Sequence, residues 1–161
     1  MRDFIITLDN ITKALDSLPK RISVLAVNFS KERFVKQNWI DSSTHDWKPR
    51  SRARRGGKRR QKGAILVDSG RLKRSIRKVS VSKDRVIIGT DVPYAQVHND
   101  GFQGTVSVKP HRRKRDGKKI YVRAHSRRMS IPQRRFLGDS QELSARLEKL
   151  IISEIINAIN K

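Results

Sequence analysis

The chain has no cysteine, two tryptophans, two tyrosines and few acidic residues. Without cysteine, disulfide bonds and thiolate metal sites are excluded. The four histidines are scattered and leave few ligands for zinc, so we expect no metal and no cofactor. No apolar run approaches the ~20 residues that a membrane-spanning helix needs, and the N-terminus lacks the pattern of a signal peptide. The sequence therefore predicts a product of the cytoplasm with no membrane partner.

Length and composition together favour one small domain, which we place at 1–161. Apolar residues make up 35% of the chain, which is enough for one modest core. The pattern divides the domain into an N-terminal helical part (1–38), a basic loop (39–63), a sheet with hairpins (64–138) and a C-terminal helix (139–161). The expected fold class is α+β, with a small antiparallel sheet packed by N-terminal helices and a long C-terminal helix.

Positive charge is the strongest signal in the sequence. The 38 lysines and arginines exceed the 15 acidic residues and give a formal charge of +23. Residues 48–63 hold nine cations and no acid, and residues 109–128 hold ten cations and only Asp116 as an acid. Because a surface shaped only by solubility mixes both signs, we expect these stretches to contact a polyanion. The candidate contacts for nucleic acid or an acidic partner are Arg50, Arg52, Arg54, Arg55, Lys58, Arg59, Arg60, Lys62, Arg112, Arg113, Lys114 and Arg115.

The two basic stretches differ in their expected structure. Residues 48–63 contain glycines and no apolar periodicity, which is typical of a loop. The residues 105–108 and 120–122 alternate in the manner of strands and flank the turn dipeptide Asp116-Gly117, so they predict a β-hairpin with a basic tip. The loop has neither interleaved aromatic residues nor helical spacing. Any contact with DNA is therefore expected to lack sequence specificity.

The N-terminal part predicts a strand followed by two helices. Phe4–Leu8 is rich enough in β-branched and aromatic residues for a short strand. Asp9 or Asn10 can then cap a helix that Pro19 ends. Apolar spacing over 22–34 indicates the second helix.

The middle and the end of the chain carry clearer signals. A short helix over 72–76 precedes a hairpin of 79–81 with 86–89. Asp68 or Ser69 can bind the free N–H groups at the start of this helix.

The C-terminal helix begins where Asp139 and Glu142 resemble a capping box. One apolar face of this helix suits the core, and a second stripe has the same spacing. Two explanations of the second stripe stay open: a helix buried deeply in its own domain, or a contact between subunits. The candidate oligomer-interface residues are Ile152, Ile156 and Ile159.

Three sequence blocks resemble the virion morphogenesis and tail completion proteins of Mu-like tailed phages and prophages. They are ILVDSGRLKRSI (Ile65–Ile76), GTDVPYAQVHNDG (Gly89–Gly101) and RAHSRRMSIPQRRFLG (Arg123–Gly138). The segment Trp47–Arg50 is similar to a tryptophan-centred segment of that family, and order and spacing hold over 39–160. The basic loop and hairpin tip exceed what the family pattern demands, which leaves their role open.

The resemblance implies a small α+β structural protein of the virion, located at the junction of capsid and tail after assembly in the host cytoplasm. It implies a homo-oligomeric ring, a hexamer or a dodecamer, that contacts head-connector and tail proteins as a neck, tail-completion or tail-terminator component. The basic stretches would face packaged double-stranded DNA or acidic partner subunits. The alternative is a non-specific nucleic-acid-binding protein associated with ribosomes or the nucleoid, and a nuclease-like toxin fits least.

The residues indicate no enzyme. A nuclease needs clustered carboxylates for Mg²⁺, whereas the acids here are scattered, and Gly56-Gly57-Lys58 lacks the spacing of a P-loop. His98 shares a helical turn over 93–98 with Tyr94, and we expect it to be buried and hydrogen-bonded rather than catalytic. Three of the four glutamates are expected on the terminal helix as solvent-facing partners, namely Glu142, Glu148 and Glu154.

Overall fold

The computed structural model describes residues 2–50 and 63–160. In these ranges it contains four helices and eight strands, and the strands pair antiparallel in four two-stranded sheets rather than in the single small sheet expected. The α+β class is confirmed. The elements in chain order are α1 (Arg2–Lys36), β1 (Asn38–Ile40), β2 (Thr44–Asp46), α2 (Arg71–Ser75), β3 (Arg77–Val81), β4 (Val86–Gly89), α3 (Ala95–Asp100), β5 (Phe102–Val108), β6 (His111–Arg115), β7 (Lys118–Val122), β8 (His125–Ile131) and α4 (Gln141–Ile159).

Helix α1 is continuous from Arg2 to Lys36 and contains Pro19. The expected strand at Phe4–Leu8 and the expected division into two helices are therefore wrong. Proline removes one backbone hydrogen bond and costs ~3 kcal/mol inside a helix, but the packing of α1 against the rest of the chain offsets this cost. Leu18 is buried, α1 packs against β3, β4 and α4, and Lys83 in the β3–β4 turn lies 3.3 Å from Asp16.

A small hairpin occupies the start of the region expected to be a loop. Strands β1 and β2 pair from Asn38 with Asp46 to Ile40 with Thr44. The chain leaves α1 through Gln37 at a positive φ of 56°, and the Trp47 N–H donates to the Gln37 carbonyl at 2.8 Å. The loop prediction fails here because burial of Trp39 and Trp47 orders the segment.

The core joins residues that are distant in sequence. Phe34 of α1 contacts the Trp47 ring edge-on at 5.4 Å between centroids and the Phe136 ring at 5.0 Å. The Trp47 indole N–H donates to the Arg135 carbonyl at 2.9 Å. The buried core cluster consists of Phe34, Trp47, Leu72, Ile76, Val92, Ala95 and Phe136. The segment Trp47–Arg50 and the three sequence blocks 65–76, 89–101 and 123–138 each supply at least one of these side chains.

Asn99 fixes the position of the segment that carries Phe136. Its Oδ1 accepts from the N–H groups of Phe136 and Leu137, both at 2.9 Å, and its Nδ2 donates to the Leu137 carbonyl at 3.1 Å. Next to it, Gly101 has a φ of 78°, and a Cβ there would lie 2.9 Å from the Gln133 nitrogen. Only glycine suits this close approach.

The short helix and the first hairpin are confirmed. Helix α2 follows Gly70 at a φ of 72°, and the Ser69 hydroxyl accepts from the Arg71 N–H at 3.3 Å. Strands β3 and β4 pair with an irregularity between Lys78 and Ser80.

Helix α4 begins one residue later than a cap at Asp139 requires. The cap is Ser140, which has an extended backbone and accepts from the Leu143 N–H at 3.1 Å. The Ser140 hydroxyl also donates to the Ile40 carbonyl at 2.7 Å, so this cap connects α4 to the β1–β2 hairpin. The prediction of Asp139 as the cap is wrong because this buried contact selects the next residue.

We predict that Asn99→Ala lowers the free energy of unfolding by about 2–4 kcal/mol, because two backbone N–H groups in the core segment lose their acceptor. Urea denaturation followed by tryptophan fluorescence measures this change. Gln96→Ala on the exposed side of the same helix is the matched control and should cost less than about 0.5 kcal/mol. A loss below about 1 kcal/mol for Asn99→Ala would contradict the role assigned to this side chain.

Candidate interaction surface

Residues 102–131 form one long two-stranded ribbon, which we call the arm. Strands β5 and β8 pair from Phe102 with Ile131 to Val108 with His125, and β6 and β7 continue the ribbon to its tip. Asp116 and Gly117 form the tip with φ values of 51° and 77°, as in a type I′ turn. The basic tip with its Asp116-Gly117 turn is thus confirmed. The expected pairing of 105–108 with 120–122 is wrong, because 105–108 pairs with β8, a strand that the sequence pattern missed, and 120–122 pairs with β6.

The arm is exposed along its length. None of its residues is fully buried, and among the described residues its strands make extensive contacts only with each other. Twelve paired positions span about 40 Å at the rise of a β-strand. A two-stranded ribbon alone is only marginally stable in water, and the arm receives little packing from the rest of the described chain.

The tip of the arm places like charges opposite each other. Lys114 pairs with Lys119, and Arg115 pairs with Lys118; such directly opposed like charges are destabilising. The one carboxylate at the tip, Asp116, lies 3.7 Å from the Arg115 guanidinium, and both side chains are exposed. Residues 102–131 carry ten cations and one acid. An anionic partner would relieve this repulsion.

The base of the arm has one partly apolar face and one polar face. By strand alternation, Val106 and Val108 share a face with Met129, and this face also carries their direct partners Arg127 and His125. The opposite face carries Thr105 paired with Arg128. The arm is thus amphipathic near the body and uniformly basic at its tip.

Arg50 lies at the base of the predicted basic loop. Its guanidinium donates to the Gly63 carbonyl at 2.9 Å and to the Ala64 carbonyl at 2.7 Å, and so connects the two ends of segment 51–62. Burial, and secondarily the charge of Arg50, lower the pKa of Arg134. The remaining loop candidates lie outside the described residues: Arg52, Arg54, Arg55, Lys58, Arg59, Arg60 and Lys62.

The three isoleucines of the second stripe on α4 are exposed. Ile152, Ile156 and Ile159 retain 58%, 50% and 51% of their accessible surface. The explanation that they are buried deeply in their own domain is therefore wrong. Their role in an oligomer interface stays a prediction.

Ion pairs hold α4 antiparallel to α1. Glu32 of α1 lies 3.0 Å from Arg146, which also binds Glu142 at 2.7 Å, and Arg21 of α1 pairs with Glu154. The prediction that the glutamates of α4 face solvent is wrong for Glu154, because this side chain contacts α1.

Glu32 also approaches the buried Arg33. Burial opposes ionisation of Glu32, but hydrogen bonds and charges from Arg146 and Arg33 outweigh it and hold the pKa of this carboxyl below its ordinary value. The charged form of Glu32 thus stabilises the contact between the two helices.

His98 is half-buried and packs edge-on against Tyr94 at 6.0 Å between ring centroids. Its Nδ1 is buried and has no hydrogen-bond partner among the described residues, so the expected hydrogen-bonded ring is not found. The neighbouring Asp100 carboxylate instead accepts from the Asn99 side chain at 2.8 Å. Burial, together with the positive charge of Arg134, lowers the pKa of His98.

The described ranges, 2–50 and 63–160, offer neither a membrane span nor a metal site. They contain no helix with the length and apolar character needed to cross a membrane. Within the same ranges, no three histidine or acidic side chains come together in a group that could hold a metal ion.

Comparison with protein families identifies the chain. The model of the phage virion morphogenesis family matches residues 8–155. The chain belongs to the phage virion morphogenesis family. No curated protein and no solved structure matches it. Membership in the virion morphogenesis family indicates a structural role in phage morphogenesis and an association with the virion, rather than a catalytic role.

The described motif residues of this virion morphogenesis protein build its core. Trp47, Leu72, Val92 and Phe136 come from the four family-like segments and pack in one cluster. The matched region includes the arm, but the basic tip makes no contribution to this cluster. The tip is therefore exposed and takes no part in packing this core.

The titration of His98 gives a testable pH dependence. Because its folded-state pKa lies below the ordinary 6.5, the unfolded chain takes up a proton first, and stability falls as the pH drops from 6.5 through the folded pKa. Thermal unfolding at pH 8, 7, 6 and 5 should show a decline of the midpoint that is smaller in His98→Gln. An equal decline in both proteins would refute this assignment.

Proposed function

We propose that this protein is a structural component of the head-tail junction of a tailed phage, which assembles as a ring between the capsid connector and the tail. The basic tip of the arm, with Arg112, Arg113, Lys114 and Arg115, faces packaged DNA or an acidic partner subunit. The observation that carries the proposal is the exposed arm of a phage virion morphogenesis protein, with like charges paired at its tip.

Electrostatics supports an anionic partner for such a ring. Each copy carries +23, so six copies bring together more than a hundred positive charges at separations where salt screens only partly. The arm and segment 51–62 hold most of this charge. A ring whose arms reach an anion can therefore form through the less charged remainder of each subunit.

Neutralising the tip tests this assignment. The variant Arg112→Gln, Arg113→Gln, Lys114→Gln, Arg115→Gln should still form rings in light scattering and negative-stain images. Its DNA affinity should fall, and the slope of log K against log salt should decrease by about 4, since each phosphate contact contributes about 0.9. Binding to an acidic partner ring instead of DNA should weaken in the same way.

A charge-matched control removes four exposed cations from the body: Lys36→Gln, Arg71→Gln, Lys78→Gln and Arg85→Gln. This control should keep most of the affinity. An equal loss in both variants would show that only the total charge matters. A wild-type protein that stays strictly monomeric at moderate salt and does not join capsids or tails would overturn the junction role.

The same arm also suits a second candidate, a non-specific nucleic-acid-binding protein associated with ribosomes or the nucleoid. The two candidates differ in what neutralising Lys58, Arg59, Arg60 and Lys62 does. In the second candidate this change abolishes function, whereas in a junction protein it spares ring assembly. Absence of any salt dependence of DNA binding would remove the polyanion from both.

A further inference from the structure

Helix α1 carries an apolar seam that is longer than the part its own chain covers. The seam residues recur at alternating spacings of three and four, the pattern by which helices pack side by side. They are Leu8, Ile11, Leu15, Leu18, Ile22, Leu25 and Phe29. Leu18 and Phe29 are buried. In contrast, Leu8 and Leu15 each keep 47% of their surface exposed, and the adjoining Ile5 keeps 55%.

The ends of the two helices explain this difference. Arg21 pairs with Glu154 and Glu32 pairs with Arg146, so α4 runs antiparallel to α1. Five residues beyond Glu154, α4 ends at Ile159, about 7 Å further along and roughly level with Asp16. The part of α1 before this level extends some 20 Å past α4. The apolar seam on this part of α1 continues the surface that contacts α4 further along, but α4 does not reach far enough to cover it.

A matching surface exists on α4 but faces away from α1. Ile152, Ile156 and Ile159 have the same four-three spacing and are exposed. At 100° per residue they lie about 180° around α4 from the face that holds Leu147 and Leu150 toward α1. One chain therefore cannot place its own α1 seam on this stripe, and the stripe is free for the seam of another copy.

Both surfaces belong to segments with little net charge. Residues 2–18 carry two cations and three acids, and α4 likewise carries two cations and three acids, so each has a net charge of −1 in a chain of +23. A second copy, which is strongly positive elsewhere, meets least repulsion where both contacting surfaces are slightly acidic and apolar.

We propose that the uncovered seam of α1 in one copy, with Ile5, Leu8 and Leu15, packs on the stripe of Ile152, Ile156 and Ile159 in the next copy. This contact joins different surfaces of the two copies and repeats from subunit to subunit, as a closed ring requires. It rests on the proposed ring and names the surfaces that form it.

A charge-swap experiment tests the pairing. Leu8→Glu alone and Ile156→Lys alone should each raise the protein concentration needed for half-assembly at least tenfold, because each puts a charge against an apolar surface. An equimolar mixture should recover assembly, since the introduced carboxylate of one variant can then meet the introduced ammonium group of the other and the wild-type surfaces form the alternate contacts. Val35→Glu, at an exposed position off the seam, is the control and should assemble like wild type. Sedimentation velocity measures assembly, and thermal unfolding shows that each variant is folded.

The absence of native cysteine allows a second measurement. A chain with both Leu8→Cys and Ile156→Cys should give a ladder of disulfide-linked dimers, trimers and higher species under oxidation, whereas either substitution alone should stop at dimers. Absence of this ladder in assembled protein would overturn the pairing.

The outcomes separate this inference from the proposed function. If wild type stays monomeric, the ring fails and the pairing fails with it. If wild type assembles and both single variants assemble equally well, the ring stands and the pairing is wrong. If only Ile156→Lys blocks assembly, the stripe contacts itself or another protein and not α1. If both block assembly but the mixture does not recover, the two surfaces are not partners.

Discussion

The burial of Phe136 against Phe34 and Trp47 is the contact on which the rest of the structure depends. It joins α1, the β1–β2 hairpin and the segment before α4, and Asn99 adds the hydrogen bonds that keep this segment in place. Both strands that form the base of the arm end next to this cluster. The arm is therefore attached beside the buried core, although little covers the arm itself.

The excess positive charge of the chain is concentrated in segments that do not contribute to this core. The core cluster is apolar, the contact between α1 and α4 balances its ionic groups in pairs, and most of the excess cations lie in the arm and in segment 51–62. A uniform spread of +23 over a small body would oppose folding as well as assembly. Concentrating the excess in the arm and in segment 51–62 leaves the core and the contact between the two long helices with little net charge.

Features with a local cause could be predicted from the sequence, and features that depend on distant packing could not. The Asp116-Gly117 turn, the positive φ of Gly101 and the first hairpin follow from their own residues. The continuation of α1 through Pro19 depends on packing against α4 and the hairpin. The strand β8 is concealed by its arginines, because only Met129 and Ile131 keep the apolar alternation. The role of Asn99 has no periodic signal, since its partners lie 37 and 38 residues further along the chain.

The two halves of helix α1 differ in how well their own chain covers them. Its covered half is held by α4 and by the β3–β4 hairpin, whereas the half before Pro19 must remain helical with less support from its own chain. Proline removes the hydrogen bond to the Leu15 carbonyl, and helices of this length are marginal in water without packing. In the proposed ring, a second copy that buries Leu8 and Leu15 would supply that packing, and the N-terminal half of α1 would then gain stability as the subunits join.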